Sequence, residues 1–165
     1  MQEQEKEKKL KELDSLEQMV TFNLGAEEYG VNILQVQEIN RMVEITKVPH
    51  TDHYVKGIIN LRGKVIPIVD LRVKFGLSEK EYDIHTRIVV VEVCHETVGL
   101  VVDGVSEVLR VPAGALEDAP EMIAHHQYGD ANSDFIKAIV KLEERMLVYL
   151  NLDKIISSTQ LPTLA

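Results

Sequence analysis

Two apolar runs joined by a short polar turn constrain the fold of this chain more than any other feature. The runs are Ile58 to Leu61 and Val65 to Leu71, and the turn is Arg62-Gly63-Lys64. This pattern predicts a β-hairpin, because Gly63 can adopt the positive φ that a tight turn often needs. Pro67 has no N–H donor, so we expect its strand to lie at an edge, a bulge or a barrel corner at that point.

The segment around this hairpin, Val55 to Gly76, is basic, although the whole chain carries a formal net charge of -9. It contains one acid, Asp70, and the bases Lys56, Arg62, Lys64, Arg72 and Lys74. The segment offers no obvious nucleophile and no cluster of metal-ligand residues. A basic surface without catalytic groups indicates binding before it indicates catalysis.

Length and composition predict an all-β protein with a few short helices. A chain of 165 residues can form one domain, or two small barrels that share one core. A fold of this size buries about 70% of the unfolded surface, so it needs neither a disulfide nor a metal for stability. Tryptophan is absent, and Val, Ile and Leu concentrate in short runs, which favours strands.

Features of the whole chain predict a cytoplasmic protein. Cys94 is the one cysteine, so no internal disulfide can form and an intracellular setting is favoured. The opening residues, MQEQEKEKK, lack the apolar core of a signal peptide, and no run of about 18 apolar residues predicts a membrane helix. The acidic balance argues against general binding to nucleic acids or anionic membranes.

Two kinds of hairpin follow each other in the order A, B, A, B. The A hairpins are Met19 to Ile33 and Arg87 to Val102, and the B hairpins are the opening one and Ala138 to Leu152. This repeat predicts two related halves, each a small twisted sheet or barrel, and each B unit ends in a helical turn. The remaining predicted turns are Gly25-Ala26-Glu27, Cys94 to Thr97 and Glu143-Glu144-Arg145.

Motifs of enzymes and metal sites are incomplete in this sequence. Gly63-Lys64 lacks the upstream glycine and the following Ser or Thr of a phosphate-binding loop. Cys94-His95-Glu96 falls on a predicted turn, where we expect the Cys94 and His95 side chains to diverge. Two histidine pairs have no Cys or carboxylate cluster at zinc-site spacing, namely His50 with His53 and His125 with His126. We therefore expect no catalytic residue, metal or cofactor.

Arg62 and Glu38 are candidates for contacts with a partner. Arg62 lies at a hairpin tip that follows a buried strand, so the tip forms a rigid platform. Glu38 lies in Val36-Gln37-Glu38-Ile39, where we expect the apolar neighbours to face inward and Glu38 outward. Charges beside strands also give solubility and deter edge pairing, so from the residues alone either role is open.

Four stretches of this chain resemble the CheW-like domain family. They read FNLGAEEYGVNILQVQEI, VKGIINLRGKVIPIVDLRVKFG, VGLVVDGVSEVL and the weaker ERMLVYLNLDKI. The NLRG-x-VIPIVDLR pattern, together with Asp103-Gly104-Val105, is specific to these domains. The resemblance implies two SH3-like, five-stranded β-barrel subdomains around a shared hydrophobic core.

The resemblance also implies a non-enzymatic adaptor that couples the cytoplasmic tips of chemoreceptors to the histidine kinase CheA. Such a protein is cytoplasmic and is recruited to membrane-associated receptor arrays. The residues implied for a receptor groove between the barrels are Ile33, Val36, Glu38, Ile39, Gly57, Asn60, Leu61, Arg62, Val98 and Gly99. Apolar side chains near Leu24 and in the 87–105 hairpin are implied to pair with the CheW-like regulatory domain of CheA.

The resemblance leads to a division of the chain into three parts. We expect a polar tail or short helix at 1–18, one CheW-like domain at 19–156 and a tail at 157–165. Within the domain, the barrels cover roughly 19–77 and 78–156, and exchange of a strand between them is left open.

Other functions stay open at this point. They are an adaptor of another receptor–kinase pathway, such as twitching motility or development, an enzyme that uses Cys94 and a histidine, and nucleic-acid binding through the basic hairpin.

Overall fold

The computed structural model describes residues 2–7, 16–118 and 135–162. Most of this part of the chain is β-strand with a few short helices, as the sequence predicts. Helical residues are 2–7, Leu71–Lys74 and Leu152–Ser157, and the 3-10 turns are Ile33–Gln35 and Ala113–Ala115. The strands are β1 (Leu16–Leu24), β2 (Glu27–Asn32), β3 (Val36–Arg41), β4 (Val55–Leu61), β5 (Lys64–Asp70), β6 (Arg87–Val93), β7 (Glu96–Val102), β8 (Gly104–Pro112), β9 (Leu116–Glu117), β10 (Ile136–Lys141) and β11 (Met146–Leu150).

The strands form two sheets, and each sheet combines hairpins from both halves of the chain. The first has the order β8-β1-β2-β11-β10-β9, and the second has the order β3-β6-β7-β5-β4. Parallel pairing of β2 with β11, and of β5 with β7, joins an A hairpin of one half to the B hairpin of the other. The sheets therefore do not follow a division at residue 77, because whole hairpins are exchanged.

The exchange produces a core that both sheets share. A central cluster takes Phe22 and Leu24 from β1, Leu100 from β7, and Ile155 from the C-terminal helix. Each sheet also encloses a smaller cluster of its own. In β6, alternate residues belong to different clusters. Val89, Val91 and Val93 pack in the central cluster, whereas Ile88 and Val90 pack in the cluster inside the second sheet. This explains why the run from Ile88 to Val91 is wholly apolar, since both faces of the strand are buried.

Both B hairpins end in a helical turn whose first backbone N–H groups are capped by the last residue of the hairpin. Asp70 accepts hydrogen bonds from the N–H groups of Arg72 and Val73, and Asn151 accepts one from Lys154. Burial is the main cause that raises the pKa of the Asp70 carboxyl above its usual value. The predicted turns at Leu71 and Leu152 are thus present with an N-cap of the preferred chemistry.

The interior strand β5 can contain Pro67 because its hydrogen-bonded pairing with the neighbouring strands is irregular or absent at this residue. Pro67 lies opposite Ile58 in β4, next to a bulge, and the parallel pairing with β7 begins one residue later, at Ile68. The missing N–H of proline therefore falls at an irregular part of the sheet, as expected of a bulge.

The ends of the domain lie outside the predicted boundaries. Strand β1 begins at Leu16, which pairs with Pro112, so part of the expected 1–18 tail belongs to the sheet. In the expected 157–165 tail, Thr159 is buried and Leu161 packs against the central cluster. The sequence also predicts a helical turn near Pro120 to Ala124, but this segment lies outside the described residues.

Candidate protein-binding site

Arg62 lies in a two-residue turn at the tip of the β4–β5 hairpin. Arg62 and Gly63 have φ values of 52° and 86°, and the flanking residues Leu61 and Lys64 pair with each other. Two consecutive positive φ values are typical of a type I′ turn, which matches the twist of the strands. The Asn60 Oδ1 atom accepts a hydrogen bond of 2.8 Å from the Gly63 N–H, and the Arg62 side chain is 74% exposed. Asn60 therefore holds the turn that presents Arg62.

Glu38 contacts Arg62, so the structure brings these two predicted site residues together. Arg62 Nη2 donates a hydrogen bond to Glu38 Oε2, and Asn40 Nδ2 donates to Glu38 Oε1 over 2.7 Å. Since β3 and β4 are the outer strands of the second sheet, the ion pair links its opposite edges. Asn40 was not a predicted site residue, and nothing in the period-two pattern distinguishes it.

A β-bulge decides the direction of the side chains in β3. Val36 lies opposite Val91, whereas Glu38 lies opposite Val90, so Gln37 is the extra residue. One extra residue sends Val36 and Glu38 to different faces, which simple alternation does not predict. The expectation that Ile39 faces inward is wrong: Ile39 is 41% exposed, while the Glu38 side chain is 24% exposed.

The apolar candidates on this side lie at the junction of the two sheets. Ile33 and Val36 are half-buried and pack on the edge of the shared core. Leu34, between them, is 89% exposed and was missed by the sequence interpretation. Its position in the 3-10 turn Ile33–Gln35 explains the exposure, because that turn interrupts the strand pattern. We define the junction face as Ile33, Leu34, Val36, Glu38, Ile39 and Arg62.

Other predicted receptor residues have no exposed side chain to offer. Gly57, Val98 and Gly99 are buried, and Leu61 is half-buried against the cluster inside the second sheet. A Cβ atom at Gly99 would lie 2.5 Å from Ile68 Cδ1, so this glycine permits close packing of β7 on β5. These residues therefore support the strands beneath the junction face.

A second exposed apolar area lies along the outer edge of β4. An open groove of about 330 Å³ is lined there by Val43, Glu44, Thr46, Ile58, Ile59, Asn60 and Val65. Val43 and Val65 are each more than two-fifths exposed. The groove begins beside the hairpin tip, since it contains Asn60 and Val65, which pair with each other.

The predicted kinase contact at Leu24 needs correction. Leu24 is 1% exposed and packs in the central cluster, because β1 is covered by β2 and β8 on its edges and by the shared core on one face. In the 87–105 hairpin, the exposed part is the turn, where Cys94 and His95 have φ values of 52° and 65°. This turn spans two residues, shorter than the predicted Cys94 to Thr97.

Within the described ranges, no three His, Cys, Asp or Glu side chains are grouped as a metal site. His50 and His53 are both exposed, and His125 and His126 lie outside those ranges. No helix in the described part of the chain is long and apolar enough to cross a membrane.

The Glu38 carboxyl has a pKa below its usual value, because it accepts hydrogen bonds first from Arg62 and then from Asn40. A folded-state pKa below that of the unfolded chain means that the pair stabilises the fold above the unfolded pKa. That contribution is lost as the pH falls through the folded-state pKa.

We expect Arg62→Ala to raise the pKa of Glu38 toward its usual value, and Asn40→Ala to raise it less. The order follows from the two hydrogen bonds, of which the charged one is the stronger. Titration of the Glu38 side-chain carboxyl by NMR in the wild type and in each variant measures both shifts. An unchanged Glu38 titration in Arg62→Ala would contradict the ion pair.

Comparison with known proteins agrees with this geometry. The family model for the CheW-like domain matches residues 18–160, nearly the whole described body of the protein. The chain belongs to the CheW-like domain family. The chemotaxis protein CheW of Klebsiella aerogenes is 38% identical over 145 residues, which cover 88% of this chain and 84% of that protein. The CheW of Bacillus subtilis is 34% identical over 156 residues, covering 92% and 96%.

The fold is also that of a solved family member. The crystal structure of the scaffolding protein TtCheW from Thermoanaerobacter tengcongensis is similar with a TM-score of 0.79 and 32% sequence identity. The similarity covers 89% of this chain and 99% of that one. A likeness over whole chains supports the fold with its two β subdomains.

Proposed function

We propose that this chain is a non-enzymatic chemotaxis adaptor that couples chemoreceptor tips to the histidine kinase CheA. Its contacts with both partners let receptors control autophosphorylation of the kinase. The observation that carries the proposal is the junction face, where an exposed Arg62, held by Glu38, stands beside exposed apolar side chains in a member of the CheW-like family.

The junction face offers two kinds of interaction to a helical receptor tip. Leu34 and Ile39 offer apolar surface, whose burial contributes roughly 25 cal/mol per Å². Arg62 fixes the register of the partner through charge-assisted hydrogen bonds, because part of its guanidinium remains accessible beside Glu38. Gly57, Val98 and Gly99 contribute by shaping the sheet beneath this face.

The kinase contact belongs to a different part of the surface. We assign it to the exposed end of the 87–105 hairpin, around Cys94 and His95, with Leu24 as a buried support. Holding two partners at once raises the effective concentration of each for the other, so individually weak contacts suffice in an array. In the cell the protein is cytoplasmic and is recruited to receptor arrays at the membrane.

We expect Arg62→Ala to leave the fold intact and to weaken receptor-dependent control of CheA. The adaptor concentration required for that control should rise at least about tenfold. Loss of a charge-assisted contact of about 1.5–3 kcal/mol gives an effect of this size. The measurement is CheA autophosphorylation in complexes reconstituted from purified kinase, receptor signalling fragment and adaptor. Arg110→Ala is the control, since Arg110 is also an exposed arginine but lies on β8, outside the junction face.

Pull-down of CheA and of the receptor fragment separates the two contacts in the same preparation. Arg62→Ala should retain CheA and lose the receptor fragment. Full receptor control by this variant would remove Arg62 from the contact, and failure of the wild type to bind either partner would refute the adaptor function.

A further inference from the structure

The two sheets repeat the same local arrangement around their bulges. In β8, the bulge lies between Val105 and Glu107, which oppose Phe22 and Thr21 of β1. In β3, the bulge lies between Val36 and Glu38, which oppose Val91 and Val90 of β6. Glu107 is thus the structural counterpart of Glu38, and the next residue, Val108, is exposed like Ile39. The edge strand β8 of the first sheet therefore repeats the arrangement of the edge strand β3 of the second sheet.

The B hairpins extend the equivalence to their tips. The parallel pairs Ile68–Gly99 and Tyr149–Gly30 align β5 with β11. Counted back from these pairs, Lys64 corresponds to Arg145 and Val65 to Met146. The turn Arg62-Gly63 then corresponds to Glu143-Glu144. The side-chain contacts agree, because Lys64 bonds Thr97 in one sheet and Arg145 contacts Glu28, the counterpart of Thr97, in the other.

The two tips carry opposite charge. We define the basic tip as Arg62, Lys64 and Val65, and the acidic tip as Glu143, Glu144 and Met146. Arg145 follows the acidic tip in the chain, but its guanidinium pairs with Glu107 and Glu28, and the Glu143 and Glu144 side chains are exposed. Glu28 Oε1 is buried 3.5 Å from Arg145 Nη2 and accepts no hydrogen bond from any described residue. Each tip also exposes one apolar side chain: Val65 is 43% exposed and Met146 is 65% exposed.

We propose that the basic tip of one copy of this chain docks on the acidic tip of a second copy. The two surfaces are complementary in charge, and Val65 can pack against Met146 when the lysine and arginine of one tip meet the glutamates of the other. The contact joins different surfaces of the two copies, so it is heterologous and leaves a free tip at each end. The overall charge of -9 repels the copies, which keeps the association weak.

Self-association of this kind excludes receptor docking, because both use Arg62. This consequence rests on the proposed function, whereas the contact between copies does not. A protein stored in short chains would release its basic tip only when a receptor tip competes for it.

Charge reversal at each tip tests the contact by sedimentation velocity over a range of protein concentrations at one low ionic strength. Arg62→Glu with Lys64→Glu reverses the basic tip, and Glu143→Lys with Glu144→Lys reverses the acidic tip. We expect the wild type to associate as its concentration rises. The self-association constant of each double variant alone should be lower by a factor of at least roughly ten. Mixing the two variants restores a complementary pair and should restore association.

The outcomes separate this proposal from the adaptor function. Circular dichroism confirms that each variant is folded, and all four substituted residues are exposed. A wild type that stays monomeric at every concentration, unchanged association in either variant, or a mixture that fails to associate overturns the contact between copies. The acidic-tip variant should keep receptor-dependent control of CheA, so loss of that control would show that the acidic tip binds another partner instead.

Discussion

Replacement of Asp103 by alanine should destabilise the fold by about 3–5 kcal/mol, the cost expected when one partner of a buried ion pair is removed. Asp103 Oδ2 accepts hydrogen bonds from Arg72 Nη1 at 2.7 Å and from the Gly25 N–H at 2.6 Å. The two charged side chains are only 16% and 8% exposed, so Asp103→Ala leaves the Arg72 guanidinium unpaired in a poorly hydrated site. Urea unfolding followed by circular dichroism measures the loss.

Two further variants distinguish the ion pair from general disturbance. Asp103→Asn keeps an oxygen that can accept the Gly25 hydrogen bond, so it should cost less than Asp103→Ala. Asp153→Ala is a control, because Asp153 is exposed and accepts one hydrogen bond from Gln35; we expect it to cost less than about 1 kcal/mol. A loss in Asp103→Ala as small as in this control would contradict the role assigned to the pair.

The position of Asp103 explains why the effect should be large compared with a total stability of about 5–15 kcal/mol. Its carboxylate joins the β1–β2 turn to the helical turn that follows β5, and these belong to different sheets. Its own N–H donates to Asn23 of β1. Loss of this carboxylate therefore loosens the packing of one sheet on the other.

Gly57→Ala should destabilise the protein by about 3 kcal/mol or more, because two unfavourable effects act together. Gly57 has a φ of 143°, which residues with a Cβ atom rarely adopt. A Cβ atom there would lie 2.1 Å from the Thr46 carbonyl oxygen, so the backbone itself must move. Thr46 pairs with Ile58 through two hydrogen bonds, and amide exchange at these residues should accelerate in the variant.

Gly63→Ala is the matched control, since Gly63 also has a positive φ but a Cβ atom there meets nothing within 4 Å. It should cost only about 1–2 kcal/mol, the penalty of the left-handed conformation alone. If both variants lose the same stability in thermal or urea unfolding, the approach of Thr46 to Gly57 is not the cause.

Much of the local structure could be predicted from the sequence because its determinants are local. The turn residues and the apolar runs place the hairpins, and Asp70 and Asn151 are residue types that begin helical turns. The repeated order of hairpins is visible in the structure, in which Gly30 and Gly99 of the two A hairpins hold equivalent positions opposite parallel partners. Arg62 at the hairpin tip follows from the same reasoning.

The candidate site was less predictable, because its geometry depends on one extra residue and on distant contacts. The pairing of β3 with β6 contains an extra residue at Gln37, Glu38 contacts Arg62 and Asn40, and Ile39 is exposed. Residue types alone do not mark such a bulge. Motif similarity selected Leu24, Val98 and Gly99 as contact residues, yet only the packing of the strands shows that they are buried.

The hairpins, their repeated order and the basic tip could be predicted from the amino-acid order, because they depend on neighbours along the chain. Long-range packing determines that each sheet combines hairpins from both halves, and that Arg62 joins opposite edges of one sheet through Glu38. Parallel pairing such as β2 with β11 unites residues far apart in the chain, and the stability of that pairing depends on burial in the shared core. No local sequence pattern predicts this pairing.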